Sequence, residues 1–356
     1  MYKRQGFANK QYDETDYAQE FSKHIGVKNY AYRITPEEYW ANLGKIQYHM
    51  DEPLADAASV ALYFVNREAS KQVKVCLSGE GADEFFGGYN IYKEPFTVTW
   101  YDKIPLPIRR AIGAVADLLP PVHGINFLVR RGKPLAERYI GNTNLMDEHR
   151  KKKLLKNYHP GKLPTDLSRP YFELSKGQDA VTQMETCDLN LWMVGDILLK
   201  ADKMSMANSL ELRVPFLDKE VMALAQRIPT RYRVIHKPSE SGGTPYITKY
   251  AMRLAAKKDT PPQTAKTAAK KKLGFPVPIR VWLKEDTYYN MVKNTFEGNA
   301  AQQFFHTEKL VQLLDDHRAG KADNSRKIWT VYMFLVWYHV YFESDVIPTK
   351  PNVSCF

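Results

Sequence analysis

A short apolar run that breaks into an acidic, glycine-containing loop constrains this chain more than any other segment. The run Val73–Leu77 has the apolar, β-favouring positions of a buried strand. Two glycines in residues 78–81 allow a tight turn and close approach of the backbone to a ligand. Asp83 and Glu84 then stand where the first turn of a helix is expected, and negative charge is favoured there. Because open α/β sheets bind ligands beyond the carboxyl ends of their strands, this segment predicts a ligand site, with an ordinary strand–turn–helix connection as the alternative.

Helical and extended patterns alternate over the first ninety residues, which is typical of a parallel α/β sheet. We expect helices and strands in turn at residues 13–25, 27–34, 55–70 and 73–77. Beyond them, prolines separate short amphipathic segments, and long helical patterns follow. The fold class is therefore predicted to be α/β, with residues 1–95 forming the parallel-sheet core and residues 96–356 forming a mostly helical part.

The composition is that of a globular protein and argues against a membrane-spanning or a secreted protein. Hydrophobic residues make up 44% of the chain, and no apolar stretch reaches the roughly 20 residues of a membrane helix. The N-terminal residues lack the apolar run of a signal peptide, so none is expected. The three cysteines, Cys76, Cys187 and Cys355, form neither a disulfide framework nor a metal pattern, which favours the cytoplasm.

The formal net charge of +11 raises the question of nucleic-acid binding. Basic clusters occur at residues 109–110, 130–131, 151–153 and 270–272. None of them lies in a recognisable helix-turn-helix, zinc or single-strand-binding pattern. Lysines on solvated helix faces and anionic substrates such as nucleotides explain the excess, so no nucleic-acid partner is predicted.

Two further blocks accompany the loop, at residues 196–218 and 270–278. In this order, the three blocks resemble the synthetase domain of glutamine-hydrolysing asparagine synthetases. The resemblance extends from Gly6 through Trp282, and a weaker resemblance is seen at residues 328–342. It implies an ATP-pyrophosphatase fold of the adenine nucleotide alpha hydrolase type.

The resemblance also implies a reaction. The β-carboxylate of aspartate attacks the α-phosphorus of ATP, giving β-aspartyl-AMP and pyrophosphate, and ammonia derived from glutamine then displaces AMP to form asparagine. Such chemistry requires Mg²⁺, basic groups on the triphosphate and a base for the incoming nitrogen. The expected cofactors are therefore ATP and Mg²⁺. A homodimer is left open by the sequence.

Matching positions carry the family's site residues onto this chain. Ser78, Gly79 and Glu80 are expected to bind substrate and ATP, and Glu80 to handle protons as ammonia attacks. Asp83 is expected to hold magnesium, which prefers one or two carboxylates plus phosphate oxygens; the alternative is a charge that complements a helix start. Lys272 matches the lysine on the departing pyrophosphate; a solvated basic run is the alternative.

The second block supplies further candidates. Asp196, Lys200 and Asp202 fall within two helical turns and are expected to face the aspartate site. Residues 213–218 are expected to order the scaffold, with Arg213 in an internal ion pair. Residues 51–53 match a family segment near the nucleotide.

One departure limits what the chain is expected to do. The family's synthetase domain begins with a strand leading into a Ser-Gly-Gly-x-Asp-Ser loop that grips pyrophosphate, and no such run occurs here; Ser241-Gly-Gly-Thr244 lacks the aspartate. The glutaminase domain with its nucleophilic cysteine is not found either. We expect the missing portion to be encoded upstream; a separate chain or an inactive remnant are the alternatives.

Three functions stay open at this point. The first is amide formation on aspartate by a chain that lacks the pyrophosphate loop. The second keeps the fold and changes the acceptor, as in relatives that amidate sugars or peptides or close β-lactam rings. The third is a non-catalytic remnant that acts as a binding or scaffold protein.

Overall fold

The computed structural model describes residues 2–7, 15–119, 124–141, 145–236, 246–259, 277–345 and 347–348. Its strands are β1 Tyr2–Phe7, β2 Asn29–Ile34, β3 Val75–Leu77, β4 Glu211–Arg213, β5 Ile235–His236 and β6 Tyr246–Ile247. The helices up to residue 138 are α1 Thr15–His24, α2 Pro36–Ala41, α3 Leu43–Met50, α4 Ala57–Ser70, α5 Ala82–Phe85, α6 Leu106–Asp117, α7 Ile125–Arg131 and α8 Leu135–Arg138.

The remaining helices follow from residue 148 onward. Up to residue 259 they are α9 Glu148–Leu154, α10 Pro164–Leu174, α11 Ala180–Asn190, α12 Leu199–Met206, α13 Lys219–Arg227, α14 Thr230–Arg233 and α15 Tyr250–Asp259. Beyond it they are α16 Ile279–Trp282, α17 Asp286–Glu297, α18 Asn299–Phe304, α19 Thr307–Arg318 and α20 Ser325–Tyr338. A π-helical turn, Met193–Leu198, leads directly into α12. The described chain is thus mostly helical, as predicted for its second part.

The strands form two parallel pairs and one antiparallel pair. Strand β1 runs parallel to β2 with Phe7 opposite Ile34, and β3 runs parallel to β4 with Leu77 opposite Arg213. Strands β5 and β6 are antiparallel. Parallel pairs joined through helices are compatible with the predicted α/β class.

Strand β4 was not predicted, because Glu211–Arg213 is only three residues long and stands among helical patterns. Its pairing with β3 joins the second sequence block to the first. The division of the chain at residue 95 into a sheet core and a helical part stays a prediction.

Strand β3 is less buried than the sequence predicts. Val75 and Leu77 are 50% and 74% exposed, whereas Cys76 between them is partly covered. Successive side chains of a strand point to opposite faces, so only one face of β3 packs against the described protein. The apolar run therefore predicted the strand and overestimated its burial.

The largest core cluster joins helices from both ends of the chain. Trp40 in α2 stacks on Tyr288 in α17 at a ring-centroid distance of 4.8 Å and meets the edge of Trp329 in α20 at 5.6 Å. Phe64 and Tyr63 of α4 are buried in the same cluster, while Leu62 and Val65 of the same helix are only partly buried. Aromatic pairs of this kind add to the free energy of burial, so α2 and α4 are firmly anchored in this core cluster.

None of the helices described is long and apolar enough to cross a membrane.

Candidate active site

The loop after β3 lies at the carboxyl ends of two parallel strands. The Ser78 backbone N–H donates to the Arg213 carbonyl at 2.8 Å, which extends the β3–β4 pairing by one residue. Gly79 is exposed and Glu80 is partly buried. Three predicted substrate-binding residues are therefore presented together at the edge where α/β sheets bind their ligands.

The second sequence block forms the wall of this loop. Gly81 precedes α5 with a φ of +94°, and a Cβ there would overlap the Leu217 side chain. Only glycine satisfies both the backbone conformation and the close packing. Arg213, expected in an internal ion pair, instead pairs with Glu211 and is 66% exposed. Arg213 is the last residue of β4, a short strand whose alternate side chains face solvent, which is why the expectation was wrong.

Asp83 lies against a lysine from a distant segment. Asp83 Oδ1 is 3.1 Å from Lys249 Nζ, and about a quarter of each side chain is exposed. Lys249 adopts a left-handed φ of +51°, and its backbone N–H donates to the Gly87 carbonyl at 3.3 Å. A Cβ on Gly88 would meet both Asp83 and Lys249 well inside van der Waals contact. Gly88 therefore allows the carboxylate and the ammonium group to approach each other.

Glu84 points the other way, into the protein. It is 2% exposed and accepts a hydrogen bond from the Tyr89 hydroxyl, which in turn accepts one from Trp192 Nε1 at 3.1 Å. Burial raises the pKa of Glu84 above its ordinary value, although the Tyr89 hydrogen bond opposes the shift. Neighbouring Asp83 and Glu84 thus have different environments: one faces a cation, the other is held inside by a tyrosine.

Behind Glu84 lies a second buried carboxyl, Asp188 of α11. It is 0% exposed and accepts hydrogen bonds from Tyr92 at 2.6 Å and from Tyr139. Burial raises the pKa of Asp188 to about 7, with a smaller contribution from the charge of Glu84. This carboxyl ties α11 to the segments that carry the two tyrosines.

Asp196 and Lys200 form a buried charge cluster with the helix cap of α4. Lys200 Nζ is 2.8 Å from Asp196 Oδ2 and also donates to Asp56, which accepts from Ala58 N at the start of α4. Burial, followed by the Asp56 charge, raises the pKa of Asp196 to about 6. Asp196 lies in the π-helical turn, a feature frequent at functional sites.

Asp196 also lines an apolar cavity of about 530 Å³, together with Leu54, Trp192 and Val331. Asp202, the third candidate of this block, is exposed. The structure thus unites Asp196 and Lys200 and leaves Asp202 on the surface. Lys272 lies outside the described residues, and so do Ser241–Thr244. The roles of all these residues stay predictions.

Few side chains of the described residues lie close enough together to bind a metal ion. In the ranges described, no group of three or more His, Cys, Asp or Glu side chains converges on a point. Mg²⁺ commonly uses one or two carboxylates and takes its other ligands from phosphates and water. Asp83 could supply one such carboxylate, and its role as a magnesium ligand stays a prediction.

Several residues near the site escaped the sequence reasoning. Lys249 is far from the loop in sequence, and no local pattern marks it. Tyr89 lies a few residues after the acidic pair of the loop and gave no separate signal. Asp188 could have been noticed as a carboxyl in a helix whose neighbours Met184 and Cys187 are buried; a single sequence does not tell which face of that helix is inside.

Comparisons with known proteins agree on one family. A family model described as asparagine synthase matches residues 5–339. Asparagine synthetase [glutamine-hydrolyzing] 1 of Bacillus subtilis is 45% identical over 346 residues, which is 97% of this chain and 53% of that protein. A putative asparagine synthetase [glutamine-hydrolyzing] of Mycobacterium tuberculosis is 41% identical over 344 residues, 96% of this chain and 51% of that protein.

A more distant similarity is seen to asparagine synthetase [glutamine-hydrolyzing] 3 of Bacillus subtilis. It is 28% identical over 233 residues, 65% of this chain and 32% of that protein. The chain spans about half the length of the two relatives that match nearly all of it.

Proposed function

Since this chain belongs to the asparagine synthase family, we propose that it carries the synthetase site of an enzyme that makes asparagine from aspartate, ATP and ammonia. We further propose the ATP-pyrophosphatase fold, with residues 1–95 as the nucleotide-binding core and residues 96–356 as the helical part. A cytoplasmic location belongs to the same proposal.

The observation that supports it most strongly is the loop of residues 78–83. It follows the carboxyl end of β3, beside the carboxyl end of β4, with Glu80 partly buried in it. Asp83 at its end faces the ammonium group of Lys249. Carboxylates and a cation beside an exposed glycine loop suit a ligand that carries phosphate and amine groups.

The chemistry proceeds in two balanced steps. The aspartate β-carboxylate oxygen attacks the α-phosphorus of ATP, and the bond to the β-phosphate breaks to release pyrophosphate. Ammonia then attacks the acyl carbon of β-aspartyl-AMP, AMP leaves with the electrons of the C–O bond, and the nitrogen loses a proton. Glu80 is proposed as the group that accepts this proton.

Asp83 is proposed to hold Mg²⁺, which would neutralise charge on the triphosphate. Lys249 lies beside Asp83 and is positioned to attract the phosphates. Lys272 is proposed to contact the pyrophosphate. Ser78 and Gly79 are proposed to contact ATP, and Asp196, Lys200 and Asp202 to contribute to aspartate binding.

Glutamine is proposed as the source of ammonia, since the relatives are named as glutamine-hydrolysing enzymes. This chain spans about half of their length, so glutamine hydrolysis is assigned to the part of the enzyme that it does not span. A second candidate keeps the same chemistry with another acceptor, and a third is a binding or scaffold protein.

Aspartate-dependent release of pyrophosphate and AMP from ATP tests the proposal. The assay is run with ammonium on the chain itself and on the chain joined behind the N-terminal part of the Bacillus subtilis relative. Aspartate-dependent release by either protein supports asparagine synthesis, once the amide product is identified. Release with another carboxylic acid only would support the second candidate. No release from a folded protein with any acceptor would overturn catalysis and favour the third.

A further inference from the structure

Trp192 stands between the two parts of the candidate site. It directly precedes the π-helical turn Met193–Leu198 and lies four residues before Asp196, which in turn lies four residues before Lys200. Residues at this spacing lie on one side of a helix, so the indole, the carboxylate and the ammonium group are presented together. The sequence reasoning gave Trp192 no role.

The edge of the indole is held from the segment that follows β3. Trp192 Nε1 donates to the Tyr89 hydroxyl at 3.1 Å, and that hydroxyl donates to the buried carboxyl of Glu84. Glu84 belongs to the short helix α5, which also carries Asp83, and Glu80 lies four residues before it. The indole N–H is therefore linked, through one hydroxyl, to the helix that continues the glycine loop.

The face of the same indole is turned to the other part of the site. Lys200 Nζ lies 5.6 Å from the centroid of the Trp192 ring, within the distance at which an ammonium group is attracted to an aromatic face. The same ammonium group is 2.8 Å from Asp196 Oδ2 and donates to Asp56. One rigid side chain thus contacts Tyr89 at its edge and Lys200 on its face.

Packing alone does not account for Trp192. The side chain is only partly buried, and it lines the apolar cavity of about 530 Å³ together with Asp196. A tryptophan that fills space in this protein looks different: Trp40, in the largest core cluster, is 4% exposed, and its Nε1 makes no hydrogen bond within the described residues. The contacts at its edge and its face, rather than its burial, distinguish Trp192.

We propose that Trp192 is a positioning residue, which together with Tyr89 fixes the loop of residues 78–83 relative to the Asp196–Lys200 pair. The inference rests on the proposed function, in which Glu80 accepts a proton from the nitrogen that attacks an acyl group held beside that pair. A displacement of about 1 Å between such groups can lower a rate substantially. The hydrogen bond at the edge of the ring holds the loop, and the ring face stabilises the ammonium group.

The two ends of the indole can be tested separately, because phenylalanine keeps an aromatic face and lacks the N–H. Trp192→Phe is expected to lower kcat for aspartate-dependent AMP release about tenfold and to leave KM for aspartate within about twofold. Trp192→Leu also removes the face, so it should raise KM for aspartate about threefold or more, since Lys200 loses its cation–π contact. A loss of packing alone would not separate kcat from KM in this way.

Tyr89→Phe gives a second test, because it removes the hydroxyl that accepts the hydrogen bond of Trp192. We expect a similar loss of kcat and little further loss in the double variant Tyr89→Phe/Trp192→Phe, since residues that act as a unit are not additive. One matched control is Trp100→Phe, at a tryptophan that is 64% exposed. The other is Tyr158→Phe, which breaks a tyrosine–glutamate pair with Glu148 of α9. Both controls should retain kcat and KM.

The assay is the aspartate-dependent release of AMP that tests the proposed function, with a circular-dichroism spectrum of each variant to check its fold. Unchanged kcat in Trp192→Phe, or losses that multiply in the double variant, overturns this inference and leaves the proposed function intact. If Trp192→Phe does not fold, Tyr89→Phe decides by the same comparison. An unchanged protein that releases no AMP with aspartate overturns the proposed function, and this inference with it.

Discussion

Lys249 Nζ lies 3.1 Å from Asp83 Oδ1, although the two residues are far apart in sequence. The pair joins the start of α5 to the residue before α15. Gly88 leaves the space in which both side chains meet. A proposed metal ligand is thereby kept next to a cation that is also suited to phosphate.

Gly88→Ala should destabilise the protein. The added methyl group would overlap Asp83 and Lys249, and overpacking of this kind costs about 1–3 kcal/mol. The matched control is Gly161→Ala, where a Cβ meets nothing within 4 Å and the change should stay within about 0.5 kcal/mol. Urea unfolding followed by circular dichroism measures both. Equal stability of the two variants would mean that the Asp83–Lys249 contact can move without cost.

Lys200→Met should cost about 3–5 kcal/mol of unfolding free energy, because it leaves the buried carboxylate of Asp196 and the partly buried carboxylate of Asp56 without their cation. Lys203→Met in the same helix is the control, since Lys203 pairs with the 59% exposed Asp51 and such surface pairs contribute about 1 kcal/mol or less. Chemical denaturation of both variants gives the comparison. Similar losses for the two lysines would contradict a structural role for the buried cluster.

Asp188 should make the stability depend on pH. Its folded-state pKa of about 7 lies above the ordinary value, so between about pH 4 and pH 7 the folded protein retains a proton that the unfolded chain releases. Stability from this group is therefore present at low pH and falls as pH rises through 7, by up to about 1.4 kcal/mol per unit.

The variant Asp188→Asn isolates this effect. Its amide keeps an acceptor for Tyr92 and Tyr139 and does not ionise, so its stability relative to the unchanged protein should rise from pH 5 to pH 7 and then level off. Melting temperatures across this range measure the difference. The exposed control Asp202→Asn should follow the unchanged protein, and a pH-independent difference for Asp188→Asn would refute the raised pKa.

Glu80→Gln should lower amide formation by about 10²–10⁴-fold, since the amide side chain does not accept the proton of the attacking nitrogen. The partly buried position at the loop makes loss of folding unexpected. The rate of ammonium-dependent asparagine formation is compared with that of Glu220→Gln, which alters a carboxylate on the exposed helix α13. Unchanged turnover in Glu80→Gln would remove Glu80 from the mechanism.

The sequence by itself determined the local elements and the family. The apolar run, the two glycines and the acidic pair at residues 73–84 predicted a strand, a loop and a helix start, because these depend on neighbouring residues only. Three ordered blocks were sufficient to identify the family, which the comparisons confirm. The site residues of the loop were carried over from the family resemblance, and their roles stay predictions.

Tertiary structure decided which distant groups meet. The partner of Asp83, the pairing of β3 with β4 and the shared ammonium of Lys200 each join residues far apart in the chain, and no local pattern carries that information. The tertiary structure also decided which side chains are buried. Leu77 is apolar yet exposed, and Asp188 is acidic yet buried. A side chain's environment depends on what the rest of the fold packs against it, so the free energy of burial and the pKa follow from packing.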